Sequence, residues 1–129
     1  MIFVDSNVPM YLVGASHPNR QRLEAFLETR PDEEFVTSAE VYQEVVHRYV
    51  AINRRAAIAD AFDLLDELVA DVYPISRDDV GEAARIAAQH NGLSGRDCLH
   101  LAVMAAHGLG RILTFDERFD DYPSVMRLP

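Results

Sequence analysis

The sequence predicts an α/β domain with a mainly parallel sheet and helices on both faces. Three observations carry that reading. Short apolar runs with no polar face, the first being Ile2-Phe3-Val4, have the character of buried parallel strands. Segments of helical period, bounded by Ser/Thr starts and Gly or Asn stops, lie between these runs. Strands and helices alternate along the whole chain instead of clustering by type. No repeat, linker or low-complexity stretch divides the 129 residues, so one domain over 1–129 is expected.

The elements follow in order. Met1 to Val4 reads as a central strand. Asp5 to Val13 reads as a short helical segment, with Asp5-Ser6-Asn7 offering cap side chains, Pro9 suiting a first turn and Gly14 closing it. A helix is expected from Pro18 to Arg30, with Leu23, Phe26 and Leu27 on one face. Phe35-Val36 is a brief strand. Thr37 followed three residues later by Glu40 is a capping-box pattern, and it opens a helix with a Val41, Val45, Tyr49 stripe interrupted near Asn53. Ala56 to Val69 is strongly helical in period, and Val72 to Ile75 is a strand. Ser76 caps a helix that ends near Asn91-Gly92. Ser94 to Asp97 has capping-box spacing and leads into a helix apolar almost all round, which should therefore be buried. Arg111 to Thr114 and Ser124 to Leu128 are the last strands.

Composition narrows the function classes. A chain that is 49% hydrophobic and 26% charged matches an ordinary soluble globule. The lone Cys98 excludes an internal disulfide framework and suits a reducing cytoplasm. The apolar run at the N-terminus lacks a basic flank and is too short for a signal peptide, and no stretch approaches the roughly 18 apolar residues of a membrane span. All twelve basic residues are arginines, and the formal net charge is −9. That balance argues against broad adhesion to phosphate backbones and fits a chain that collects carboxylates for cations or meets a basic partner.

Carboxylates stand where such a fold builds its sites, at the carboxyl ends of strands. Asp5 ends the first strand, Asp116 follows Ile112-Leu113-Thr114, and Asp97 opens the buried helix. Each acid alone reads as a helix cap or turn residue. Together they would crowd one crevice, and crowded carboxylates demand a cation. Oxygen ligands select Mg²⁺ or Mn²⁺ over zinc. A further acid, Glu40 or Glu44, lies on the helix after the second strand. Glu44 also has the spacing to pair with Arg48, and spacing alone does not choose between the two glutamates. The five histidines show no zinc spacing, so His100 and His107 are expected as core or rim residues. Arg96, beside Asp97, is expected at the rim.

The ordered set MIFVDSNVPMYL, TSAEVYQEVVHRY and LSGRDCLHLAVMAAHGLGRILTFDERFD resembles the motifs of PIN-domain ribonucleases, in particular VapC-type toxins of type II toxin–antitoxin systems. The resemblance spans nearly the whole chain. It implies a three-layer α/β/α fold and Mg²⁺- or Mn²⁺-dependent hydrolysis of RNA. Asp5, Glu44, Asp97 and Asp116 match the family's acids, with Asp5, Asp97 and Asp116 as metal ligands. It selects Glu44 over Glu40, because Glu44 follows the helix start at Ser38 by six residues. Asn7, Ser38 and Thr114 match supporting positions, while Phe115 stands where many relatives carry asparagine. The implied partners are an RNA substrate, a small cognate antitoxin with a basic segment, and a second copy in a homodimer. Receiver-type signalling domains and aspartyl phosphatases also place acids at strand ends, but they use a lysine this chain lacks, and the phosphatases want an aspartate where Asn7 stands. A module whose acids only dock an arginine-rich partner is the remaining alternative.

Overall fold

The computed structural model describes residues 1–129. The strands are β1 (Ile2–Val4), β2 (Phe35–Ser38), β3 (Asp71–Tyr73), β4 (Arg111–Leu113) and β5 (Met126–Leu128). They form one sheet in the order β3-β2-β1-β4-β5, and every pair is parallel. The helices are α1 (Asn7–Val13), α2 (Pro18–Glu28), α3 (Ala39–Ala51), α4 (Ile58–Leu68), α5 (Arg77–Gln89) and α6 (Gly95–Ala106), with 3₁₀ turns at Arg55–Ala57 and Glu117–Asp121. Helix α1 packs on α2 and α4, α3 packs on α4, and α5 packs against α6. Right-handed crossovers place these two groups on opposite faces of the sheet, giving three layers.

β1 is the central strand, and its three residues are fully buried. Phe3 sits in register with Val36 on one side and Ile112 on the other. With neighbours on both edges and helices on both faces, β1 has no solvent face to match with polar residues, which is why it reads as an unbroken apolar run. On the face opposite α1–α4, α6 buries Cys98, Leu101, Ala102, Val103 and Met104. No helix is long and apolar enough to cross a membrane.

Several local expectations are corrected. Thr37 does not cap a helix: it is the third residue of β2, and its hydroxyl donates to the Val4 carbonyl at 2.8 Å. The buried end of β1 takes that donor, so the Thr37–Glu40 box does not form and α3 starts one residue after Ser38 without a side-chain cap. Helix α2 stops at Glu28, where the Thr29 hydroxyl turns back to the Phe26 carbonyl at 2.9 Å. Ser76 makes a complete capping box with Asp79, and Ser94 makes one with Asp97. Asn53, at φ 58°, breaks the chain after α3, and Gly108, at φ 67°, turns it after α6; both are left-handed conformations that these residue types tolerate.

Candidate active site

From β1 the chain moves outward to β2 and β3 on one side, while β4 and β5 lie on the other. The carboxyl ends of β1 and β4 therefore flank the point where the strand order reverses, the place where open parallel sheets leave a crevice. A cavity of about 520 Å³ opens there, and its lining includes Asp5, Glu44, Asp97 and Asp116.

Asp5 leaves the end of β1 and is almost wholly buried. Its two oxygens are held separately. Oδ1 accepts the Ser6 backbone N–H at 2.7 Å, and Oδ2 accepts the Thr114 hydroxyl at 2.7 Å and a longer contact from Asn7 Nδ2 at 3.5 Å. The same Thr114 oxygen accepts Asn7 Nδ2 at 2.9 Å and the Asp116 N–H at 3.1 Å, so one hydroxyl uses its donor and both acceptor sites. Asn7 completes the link by accepting the Phe115 N–H at 3.3 Å. Burial raises the Asp5 pKa above the ordinary carboxylate value, and the charge of Glu44 adds to that rise against the opposing pull of His100.

Glu44 reaches the cavity from the second turn of α3. Its Oε2 accepts the Ser6 hydroxyl at 2.9 Å, and its Oε1 forms an ion pair with His100 Nε2. His100 is 1% exposed, comes from the middle of α6 beneath the cavity floor, and also lies 3.6 Å from Asp5 Oδ1. Burial opposes charge on both groups. It would lower the His100 pKa, but the hydrogen bond that His100 donates to Glu44 and the charge of Asp5 outweigh it and raise the value. Burial would raise the Glu44 pKa, but His100 brings it below the ordinary value. The imidazole is thus set between two carboxylates that favour its charged form.

Asp97 is in the first turn of α6. Its Oδ2 accepts the Ser94 N–H at 3.0 Å while its own N–H donates to Ser94 Oγ at 3.1 Å. Capping and cavity lining are therefore compatible in one residue. Asp116, just after β4, accepts the Arg118 N–H at 3.0 Å and receives the Arg118 guanidinium side-on. That hydrogen-bonded cation holds the Asp116 pKa low. Arg118 Nη2 also stands 3.6 Å from Asp97 Oδ2.

The structure brings Asp5, Asn7, Glu44, Asp97 and Asp116 to the cavity wall, with Thr114 buried directly behind Asp5. Glu40 and Ser38 are not on that wall; the Ser38 hydroxyl is buried without a hydrogen-bond partner. Glu44 does not pair with Arg48, since its oxygens are taken by Ser6 and His100; Arg48, Arg54 and Arg96 instead line the cavity. Asp120 is bound to Arg127 at 2.8 Å on the surface. Three residues of the site were not expected there from the sequence: Ser6, whose hydroxyl goes to Glu44 and caps no helix, His100 and Arg118. His100 is corrected from a core or rim residue to a member of the acidic cluster. Its signal was an imidazole on the apolar stretch of the helix past its first turn, one turn after Asp97.

The residues fit a divalent cation. Ligand atoms of Asp5, Glu44 and His100 all lie within 4.8 Å of one another. Glu44 Oε1 and His100 Nε2 meet only each other in the buried cluster, and His100 Nδ1 has no hydrogen-bond partner. The carboxylate oxygens suit Mg²⁺ or Mn²⁺. Asp97 and Asp116 supply further carboxylate oxygens on the same cavity wall.

The PIN domain family model matches residues 2–125. The chain is 52% identical over 130 residues to VapC ribonuclease Mb1869c of Mycobacterium bovis, covering 99% of each chain. Among solved structures it is similar to Mycobacterium tuberculosis VapC20, described as a sarcin-ricin loop cleaving toxin, with a TM-score of 0.75, 24% identity and 93% of each chain covered. It is also similar to a toxin–antitoxin complex from Klebsiella pneumoniae, with a TM-score of 0.71, 18% identity, and 98% of this chain and 96% of that chain covered.

Proposed function

This chain belongs to the PIN-domain family, within its VapC-type branch, and from that premise we propose that it is a metal-dependent endoribonuclease acting as the toxin of a type II toxin–antitoxin pair. The observation that carries the reading is the gathering of Asp5, Glu44, Asp97 and Asp116, from four separate segments, on one cavity at the reversal point of the sheet. Asp97 and Asp116 also cap helix starts, but capping does not require four acids on one cavity, where their mutual repulsion works against folding.

Asp5 and Asp97 would hold a Mg²⁺ or Mn²⁺ ion, with Glu44 and Asp116 completing the acidic set and His100 beside them. When bound, such an ion neutralises charge on a phosphodiester and lowers the pKa of a water. The chain's own residues supply position. Thr114, Asn7 and the Ser6 N–H fix both oxygens of Asp5, so its carboxylate needs no reorganisation when substrate arrives. Glu44 is clamped between Ser6 and His100, which fixes its carboxylate beside Asp5 on the cavity wall. Attack by water in line with the leaving oxygen gives a 5′-phosphate and a 3′-hydroxyl, and makes no use of the 2′-hydroxyl.

Two features support a small basic partner: the −9 charge of this chain and its likeness to the Klebsiella protein in its toxin–antitoxin complex. A basic segment laid over the four acids would block the cavity. A homodimer would provide a longer RNA-binding surface than one copy of an acidic chain.

The test is cleavage of RNA by purified protein in Mg²⁺ or Mn²⁺, beside Asp5→Asn, with sequencing of 5′-phosphate ends. Metal-dependent ends that vanish in the variant are the expected result. Equal cleavage by both proteins, or none under any divalent ion, sinks the proposal.

A further inference from the structure

We infer that Arg118 grips the scissile phosphate, and that Asp116 serves Arg118 as a positioning residue instead of serving a metal as a ligand. The inference rests on the RNA-cleaving activity proposed above and assigns a substrate contact within it.

The geometry divides the acids into two sets. Asp5, Glu44 and His100 offer ligand atoms close to one another, and Asp97 and Asp116 are both outside that group, but Asp97 keeps Oδ1 free of hydrogen bonds whereas Asp116 does not. Both Asp116 oxygens are already engaged by one residue. Oδ1 takes the Arg118 N–H and Nε, each at 3.0 Å, and Oδ2 takes Nη2 at 2.7 Å. Arg118 lies only two residues past Asp116, at the start of the 3₁₀ turn whose first N–H groups Asp116 caps. Buried Phe119, the next residue, anchors that turn in the core. The guanidinium is thus fixed by a side-on fork from a neighbour that is itself fixed.

A guanidinium has two edges for planar oxyanions. The Nε and Nη2 edge is docked on Asp116. The Nη1 and Nη2 edge is left for a ligand, since Nη1 makes no hydrogen bond in the chain. The side chain is 55% exposed and forms part of the cavity lining, and Nη2 is 3.6 Å from Asp97 Oδ2. Its available edge is therefore beside a carboxylate of the acidic set. An RNA phosphate entering a wall of four acids meets repulsion, and a cation held at that wall offsets it where the phosphate must sit.

The experiment compares wild type with Arg118→Ala, Arg118→Lys and Asp116→Asn by three readouts: Mn²⁺ affinity by electron paramagnetic resonance, cleavage kinetics, and anisotropy of a labelled RNA in Ca²⁺. Arg118→Ala should leave Mn²⁺ affinity intact or tighter and weaken RNA binding and kcat/KM by about ten- to a hundredfold, the size of a charge-assisted contact. Lysine should restore only part, because it lacks the fork. Asp116→Asn should keep its Mn²⁺ affinity and mimic Arg118→Ala in RNA binding, and the double variant should be no worse than Arg118→Ala alone. The inference is overturned by Arg118→Ala binding RNA as tightly as wild type, or by Asp116→Asn losing Mn²⁺ affinity about tenfold or more. Arg118-dependent RNA binding with no cleavage by wild type supports the phosphate contact and overturns the nuclease reading, so the two failures are distinguishable.

Discussion

The hydroxyl of Thr114 donates a 2.7 Å hydrogen bond to Oδ2 of Asp5, tying the end of β4 to the end of β1 across 109 residues of sequence. Both residues are buried, and the same hydroxyl accepts from Asn7 and from the Asp116 N–H. Thr114 is therefore the joint through which two acid-bearing loops keep a constant separation. Replacing it by valine keeps the shape, strands two donors and removes one from a buried carboxylate. Thr114→Val should cost about 1–3 kcal/mol in urea denaturation and lower RNA cleavage more than Thr114→Ser does. Equal stability and activity in all three proteins would show that the joint is dispensable.

Asp5→Asn separates charge from shape. Asparagine can keep an acceptor toward the Ser6 N–H or toward Thr114, and it removes a charge that burial disfavours. Thermal unfolding of the metal-free variant should occur at or above the wild-type temperature, while RNA cleavage falls to background. Loss of the folded signal in circular dichroism would instead mark Asp5 as a structural residue.

His100 holds Glu44 and stands near Asp5 with almost no exposure to water. His100→Leu leaves two buried carboxylates facing one another without a cation, and breaking a buried pair in this way costs about 3–5 kcal/mol. The loss should shrink when Mn²⁺ is added, because the ion replaces the missing positive charge. Urea titrations with and without Mn²⁺ measure it, and a loss unaffected by metal would argue that His100 contributes packing alone.

Ser94 and Ser76 provide a matched pair, since each completes a capping box at a helix start. Either serine to alanine should lower stability by about 0.5–2 kcal/mol. Only Ser94→Ala should also reduce cleavage, because only its partner Asp97 lines the cavity; the Asp79 box lies on an exposed helix start away from it. An equal effect of both on kcat would undo that distinction.

Much of the architecture was legible because its causes are local. The unbroken Ile2-Phe3-Val4 run marks a strand buried on both faces, and α6 is apolar round its circumference because it lies against the sheet. The Ser94–Asp97 box is written in four adjacent residues and forms as its spacing predicts. Thr37 misled for the same reason. Its spacing to Glu40 is a valid cap signal, but the Val4 carbonyl, remote in sequence, claimed its hydroxyl first.

Residue order along the chain was enough to suggest an α/β fold and to mark Asp5, Asp97 and Asp116 as acids at element ends, since strand period and capping act within a few residues. It left the choice between Glu40 and Glu44 open until family motifs were weighed, and it made His100 look like filling for a core. Only the folded arrangement sets Glu44 against Ser6 and His100, brings His100 within 3.6 Å of Asp5, and stations Arg118 between Asp116 and Asp97. Those relationships join β1, α3, α6 and the turn after β4, and no short-range rule specifies them. They arise because a parallel sheet with right-handed crossovers puts every strand's carboxyl end on one edge, where side chains far apart in sequence become neighbours.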